Sequence, residues 1–180
     1  MPSIFTHPLI GLAAAKMLPI RYKTKRFWAL SFLCPFIPDW DGIGFYLGLP
    51  HEHFFGHRGF THSMFFAAIL GIVIVAVFFR GGSIFSKRNT LLAIYFASIT
   101  LSHGILDALT NTSNGVAFFS PIISTRYSFG FTPIESSPLS PAEFFGQAGY
   151  NVILNEIAVI WIPLAAIVIV ASIARRLIKR

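Results

Sequence analysis

Two histidines, an arginine and two hydroxyls fall within one short stretch of the chain, Gly56-His57-Arg58-Gly59-Phe60-Thr61-His62-Ser63. A second set is His103-Gly104-Ile105-Leu106-Asp107. Its i, i+4 spacing places an imidazole and a carboxylate one helical turn apart on one face, able to grip one ion. Asn111 continues that face. His7, Asp39 and Asp41 complete the candidate donors. Imidazoles and carboxylates without thiolates suit zinc, manganese or iron, with zinc the default divalent metal. The single cysteine, Cys34, excludes a thiolate cage and an intramolecular disulfide. The metal candidates are therefore His7, Asp39, His57, His62, His103 and Asp107, and the spacing leaves open whether His57 or His62 is the ligand. A metal with an open position lowers the pKa of bound water. Asp39 or Asp41 can take the proton, and the guanidinium fork of Arg58 suits a phosphate. Together these groups are a kit for hydrolysing a phosphoester.

Each piece has a plainer reading on its own. A single HxxxD on a helix is more often a buried hydrogen-bonded pair than a metal site. A histidine near a helix start is usually a cap or an interface residue, and His7 alone reads as interfacial. His51 and His53, flanking Glu52 near Pro50, read as a solvated rim. Glu135 and Glu143 are late carboxylates with no spacing that ties them to the rest. The twenty phenylalanines read as lipid-facing and interfacial packing rather than a cofactor box.

The elements that must position these groups are apolar. Only 12% of the 180 residues are charged, about half the fraction usual in a soluble domain, and mean hydropathy is +0.68. This indicates an all-α integral membrane bundle of about four to five helices, one domain over residues 1–180. The net charge of +7 does not point to nucleic acid, because the basic residues sit in short clusters between apolar runs, as membrane orientation requires. Met1 to Leu18 lacks a basic leader and reads as part of the mature protein. Helices are expected over about 8–18, 27–37, 61–79, 90–111 and 151–174. Pro19 ends the first, and Pro35 and Pro38 break the second, leaving Asp39-Trp40-Asp41-Gly42 on non-helical backbone lining a cavity. Residues 43–56 read as a re-entrant or interfacial connection, with Gly81-Gly82 a breaker. Residues 112–149 are too long for a simple connection and read as a lid or re-entrant cover.

Basic loops face the cytoplasm. This puts residues 19–26, 80–88 and the C-terminus, with Arg175, Arg176, Lys179 and Arg180, on the cytoplasmic side of the membrane. At about 1.5 Å per residue, His7 is roughly 21 Å from Arg21, Asp39 about 20 Å from Arg26, and His103 about 22 Å from Arg88. Asp107 and His62 come to about 28 and 27 Å from their basic ends. All five meet at one level, in the outer half of a hydrocarbon core roughly 30 Å thick.

Thr6-His7-Pro8, Pro38-Asp39-Trp40-Asp41, His57-Arg58-Gly59-Phe60-Thr61-His62-Ser63 and Ser102-His103-Gly104-Ile105-Leu106-Asp107, in that order, resemble the YdjM-type family of bacterial membrane-bound metal-dependent hydrolases. The resemblance covers about residues 1–112 and implies a multi-span inner-membrane protein with a metal site. A looser similarity is to the zinc-dependent phospholipase C and P1-nuclease group. It implies ligands in the order His7, Asp39, His57 or His62, then His103 with Asp107. That group has further histidines after its HxxxD, whereas this chain has none after His103, so one or two metals are expected rather than three.

The leading expectation is a hydrolase acting on a membrane lipid or small-molecule phosphoester at the outer face, with no nucleic-acid partner. The alternatives are a metal-handling transporter and a non-enzymatic protein whose polar cluster fixes helix packing. A transporter needs ligands from face to face, and the inner half offers none. The sequence does not define the oligomeric state.

Overall fold

The computed structural model describes residues 1–18, 23–80, 83–111, 114–138 and 140–178, without the side chains of Phe45 and Tyr46. Pro19, Arg21, Gly81-Gly82, Lys179 and Arg180, used in the sequence reading, lie outside the described residues.

The fold is all-α. Helix α1 (Thr6–Met17) runs antiparallel to α2 (Lys25–Leu33), which starts where Thr24 accepts a hydrogen bond from the Phe27 amide at 3.1 Å. At Pro35 and Pro38 the helix is not broken, as the sequence reading expected; it tightens into a 3-10 helix over Cys34–Gly42. Proline lacks the N–H that an α-helix needs, yet its fixed φ suits the tighter turn. Asp39 and Asp41 therefore sit on regular backbone. A short α3 (Ile43–Tyr46) and a looped connection lead to a 3-10 turn at Phe60–His62 and then α4 (Met64–Phe78). α4 begins later than the apolar pattern suggests, because Ser63 is its N-cap, its hydroxyl accepting from the Phe66 amide at 3.1 Å. α5 (Lys87–Ala108) is capped by Ser86 and packs along α4 as the most extensive helix pair. A Cβ on Gly71 would run into the Ala93 carbonyl, so that packing needs glycine. Phe27, Leu30, Ile74, Val75, Leu92, Phe96 and Ile99 fill the core between these helices.

α5 ends before Asn111, which does not continue the helix face. Its amide instead donates to the Ile134 carbonyl at 2.9 Å and its side-chain oxygen accepts from the Ser136 amide. Residues 114–138 lie against this end through an isolated bridge of Thr110 with Ile134, and a second bridge, Val116 with Tyr127, closes the segment on itself. The Ala117 amide donates to the Arg58 carbonyl and the Met64 amide to the Phe118 carbonyl. After a single turn, α6 (Pro141–Phe144), the chain enters α7 (Gln147–Glu156), a π-helical turn (Ile157–Trp161) and α8 (Ile162–Ile178). Pro163 has no N–H for the carbonyl a turn earlier, which accounts for the wider turn before it.

Among the described residues two helices are long and apolar enough to cross a membrane, Lys87–Ala108 and the continuous Gln147–Ile178. Met64–Phe78 is apolar but shorter. Helix length alone thus supports two spans rather than the four or five expected.

The ends of the molecule differ in charge. At one end Arg26 donates to the Phe78 carbonyl closing α4, and Arg175 donates to the Met17 and Lys16 carbonyls closing α1. Cations there meet the negative ends of helix dipoles. The His and Asp side chains collect at the other end.

Candidate metal centre

Four elements bring the donors together: the start of α1, the 3-10 helix after α2, the turn before α4 and the last turns of α5. Gly104 permits the closest approach, since a Cβ there would lie 2.9 Å from the His62 carbonyl oxygen. That contact sets His62 beside His103, with their Nε2 atoms 3.0 Å apart. His103 Nε2 is 3.2 Å from Asp39 Oδ1 and 3.8 Å from Asp107 Oδ2. His62 Nε2 is 3.5 Å from Asp107 Oδ2 and 3.9 Å from Asp39 Oδ1. The His7 ring stacks on His103 with centroids 3.7 Å apart, and its Nε2 is 3.7 Å from Asp107 Oδ1. The five groups that the depth count brought to one level do meet. His7, His103 and Asp107 are wholly buried.

The donor set fits a cation. His103 Nδ1 lies 2.7 Å from the Pro35 carbonyl, which can only accept, so that nitrogen carries the proton. His62 Nδ1 lies 3.1 Å from Asp41 Oδ2 and is protonated by the same logic. Both Nε2 atoms are then aimed at each other, an arrangement that only a shared proton or a cation stabilises. Ligands about 2.0–2.1 Å from a tetrahedral zinc would stand about 3.3 Å apart, close to the spacings here. Both nitrogens of His7, both oxygens of Asp39 and Asp107 Oδ1 are buried with no hydrogen-bond partner. Asp39 Oδ1 is within ion-pair range of His103 but without hydrogen-bond geometry, so its demand for a cation is unmet. Asp39, His62, His103 and Asp107 form one group able to hold a metal ion; Asp41, His57 and His62 form another.

The second group is different in kind. Asp41 Oδ1 is 2.8 Å from His57 Nδ1, and Oδ2 accepts from the Arg58 amide and the Thr61 hydroxyl besides His62. Both oxygens are occupied, so Asp41 is built to orient the two imidazoles. This departs from the expectation that it takes a proton from water. His57 stands beyond Asp41 and outside the four-residue group. Arg58 also differs from its expected part. Its Nε donates to Asp107 Oδ2 at 3.1 Å and an Nη to Thr110 at 3.2 Å, so the guanidinium serves a carboxylate of the protein. It is not on a helix with His62: its φ of 64° is left-handed, a conformation that non-glycine residues adopt only when well held.

The rim is as read for His53, which is exposed. His51 is half-buried and its carbonyl accepts from Arg126. Burial, then the Arg126 charge, hold the His51 imidazole below its ordinary pKa. Arg126 also donates to the His57 carbonyl at 3.0 Å, pinning the 114–138 segment to the loop beside the cluster. Glu143 is exposed and Glu135 only partly buried, and neither joins the group. Sequence reasoning missed Glu156, which is wholly buried and accepts from the Ser3 amide, from the Ser3 hydroxyl at 2.6 Å and from the Thr6 hydroxyl at 2.6 Å. Trp161 donates to Thr6 in turn. The available signal was an acid inside a long apolar helix.

The family model for the YdjM inner membrane protein matches residues 1–179. The chain belongs to the YdjM inner membrane protein family. The match extends well beyond residues 1–112, where the motif resemblance lies, and takes in the last helix. A YdjM-family assignment makes this an inner membrane protein, and the two long apolar helices agree. Inner membrane protein YbcI of Escherichia coli (strain K12) is 28% identical over 164 residues, covering 91% of this chain and 92% of that protein. No solved structure matches the chain.

Proposed function

We propose that this YdjM-family protein is a membrane-embedded, metal-dependent hydrolase that cleaves a phosphoester, with a lipid as the substrate type, at the outer face of the inner membrane. The observation that carries the reading is the group Asp39, His62, His103 and Asp107, whose buried atoms include oxygens with no partner. His7 is the additional donor beside it. A divalent ion there, zinc by the donor set, supplies a Lewis acid and an acidified water. Asp41 holds His62 in the tautomer that offers Nε2. Arg58 fixes Asp107 and adds a positive field toward which a phosphate is drawn. His57, its Nδ1 held by Asp41, is the proton donor to the leaving group in this reading. Segment 114–138, tied down by Arg126, serves as the cover that excludes bulk water.

The bundle is completed in this reading by α1 with α2 and by α4, which enter the membrane beside the two long helices to give four to five membrane segments. The basic end and the C-terminus face the cytoplasm.

A second reading is favoured by Asp41 and Arg58, whose hydrogen bonds are closed within the protein: a polar cluster that fixes helix packing without a metal. Elemental analysis of the purified protein beside Asp39→Ala and His103→Ala separates the two. The hydrolase reading expects about one metal per chain in the wild type, little in either variant, and phosphodiesterase or phosphomonoesterase turnover that follows the metal. A wild type free of metal after purification without chelator, or activity that persists without metal, overturns it.

A further inference from the structure

The end of the molecule away from the His and Asp cluster carries positive charge that no carboxylate balances among the described residues. Lys16 is in the last turn of α1. Lys23 Nζ donates to the Lys16 carbonyl at 3.0 Å, and Arg175 donates to that carbonyl at 3.2 Å and to Met17 at 2.9 Å. Three cations thus converge on one helix end. The partial negative charge of a helix C-terminus offsets only part of this. Among the described residues no carboxylate pairs with any of them. Asp39, Asp41, Asp107 and Glu156 are in or beside the cluster, Glu52 and Glu135 lie in connections, and Glu143 lies in α6.

Beside these cations α1 and α8 leave a groove of about 460 Å³. Its walls are apolar, with Leu12, Ala13, Trp28, Leu164 and Val168 among them, and Lys16 lines it at the charged end. Lys23 stands over the Trp28 ring, 5.8 Å from its centre, so the cation and the groove wall are held together. The groove follows α1 from Leu9 to Lys16, about 10 Å at helical rise.

We propose that this groove binds one anionic phospholipid of the inner membrane, its acyl chain between α1 and α8 and its phosphate at Lys16, Lys23 and Arg175. Hydrocarbon fits walls with no polar group to satisfy, and a phosphate supplies the counter-charge that three converging cations lack. Charge complementarity also selects the headgroup. A zwitterionic lipid brings its own ammonium into the cation cluster, whereas a phosphoglycerol headgroup does not. The site is separate from the metal centre and does not depend on hydrolysis.

The test uses the full chain in detergent, delipidated and titrated with phosphatidylglycerol or phosphatidylcholine of the same acyl composition. Native mass spectrometry reads the lipid retained and thermal unfolding reads the shift. The expected result is one phosphatidylglycerol per chain with a raised Tm, and no such retention of phosphatidylcholine. Lys16→Gln with Lys23→Gln should weaken retention about thirtyfold, roughly fivefold per cation. Ala13→Phe should fill the groove and do the same. Lys16→Arg with Lys23→Arg should retain the lipid, which guards against a folding defect. Removing equal charge elsewhere, by Lys87→Gln with Arg88→Gln at the start of α5, should leave retention unchanged. Equal retention of the two lipids, or an equal loss in the Lys87 and Arg88 variant, overturns the proposal.

Discussion

Asp39 and Asp41 are two residues apart and do opposite work. On a 3-10 helix of three residues per turn, that separation leaves the side chains about 120° apart around the axis. Asp39 faces the Nε2 atoms of His62 and His103 with both oxygens unpartnered, while Asp41 meets His57 and the Nδ1 side of His62 with both oxygens used. The sequence reading kept Asp39 among the metal candidates and Asp41 outside them, but it could not foresee which partners each would meet, because it placed both on irregular backbone. Within the proposed function, the same geometry favours His62 over His57 as the ligand. If Asp41 orients a ligand, Asp41→Asn should leave metal stoichiometry at one per chain and weaken affinity about 10–100-fold. Asp39→Ala should abolish binding. Competition against a chelator with known affinity measures both. Two metals per chain in the wild type, one lost in Asp41→Asn, would instead make Asp41 and His57 a second metal site.

At the scale of elements, the motifs that were readable are those in which one helix carries its own spacing. His103 and Asp107 are on one face of α5 because i, i+4 does not depend on a partner. Misreadings arose where a side chain from elsewhere decides a boundary. The Thr61 hydroxyl is spent on Asp41, so Ser63 starts α4, and Asn111 is captured by Ile134 and Ser136 rather than by the helix. α1 is the clearest example. Its first turn has no acid and no local side-chain cap. Glu156 on α7 supplies the acceptor instead, through Ser3 and Thr6, and thereby fixes the turn that carries His7. Glu156→Ala would leave three buried donors unmatched, a loss of about 3 kcal/mol or more. The expected signature is a lower Tm and faster amide exchange over residues 3–9, with exchange in the middle of α5 little changed. Unchanged exchange at the start of α1 would show that this carboxylate is not its tether.

At the scale of the molecule, charge is sorted by end. Of fourteen basic residues only Arg58 and Arg126 lie outside the clusters at 16–26, 80–88 and 175–180, and all seven acids fall in the segments between. This sorting was legible because orientation is written in loop charge and depth in residue count. The contacts that close Arg26 on Phe78 and Arg175 on Met17 and Lys16 gather those loops at one end. Residues 112–149 were read as a lid or re-entrant cover from length alone, and the attachments of segment 114–138 were not legible, since they are scattered backbone pairs and Arg126 rather than a periodic pattern. If the basic end is cytoplasmic, the cluster opens to the outside. Single-cysteine variants decide this in intact cells. The native Cys34 is buried and should stay silent to a membrane-impermeant thiol reagent. Lys25→Cys, exposed at the basic end, should label only after the membrane is opened, while Phe131→Cys, 74% exposed in segment 114–138, should label directly. The opposite pattern would turn the molecule over and direct the candidate metal centre at a cytoplasmic substrate. Labelling of both positions in sealed cells would mean that the charge clusters do not set a single orientation.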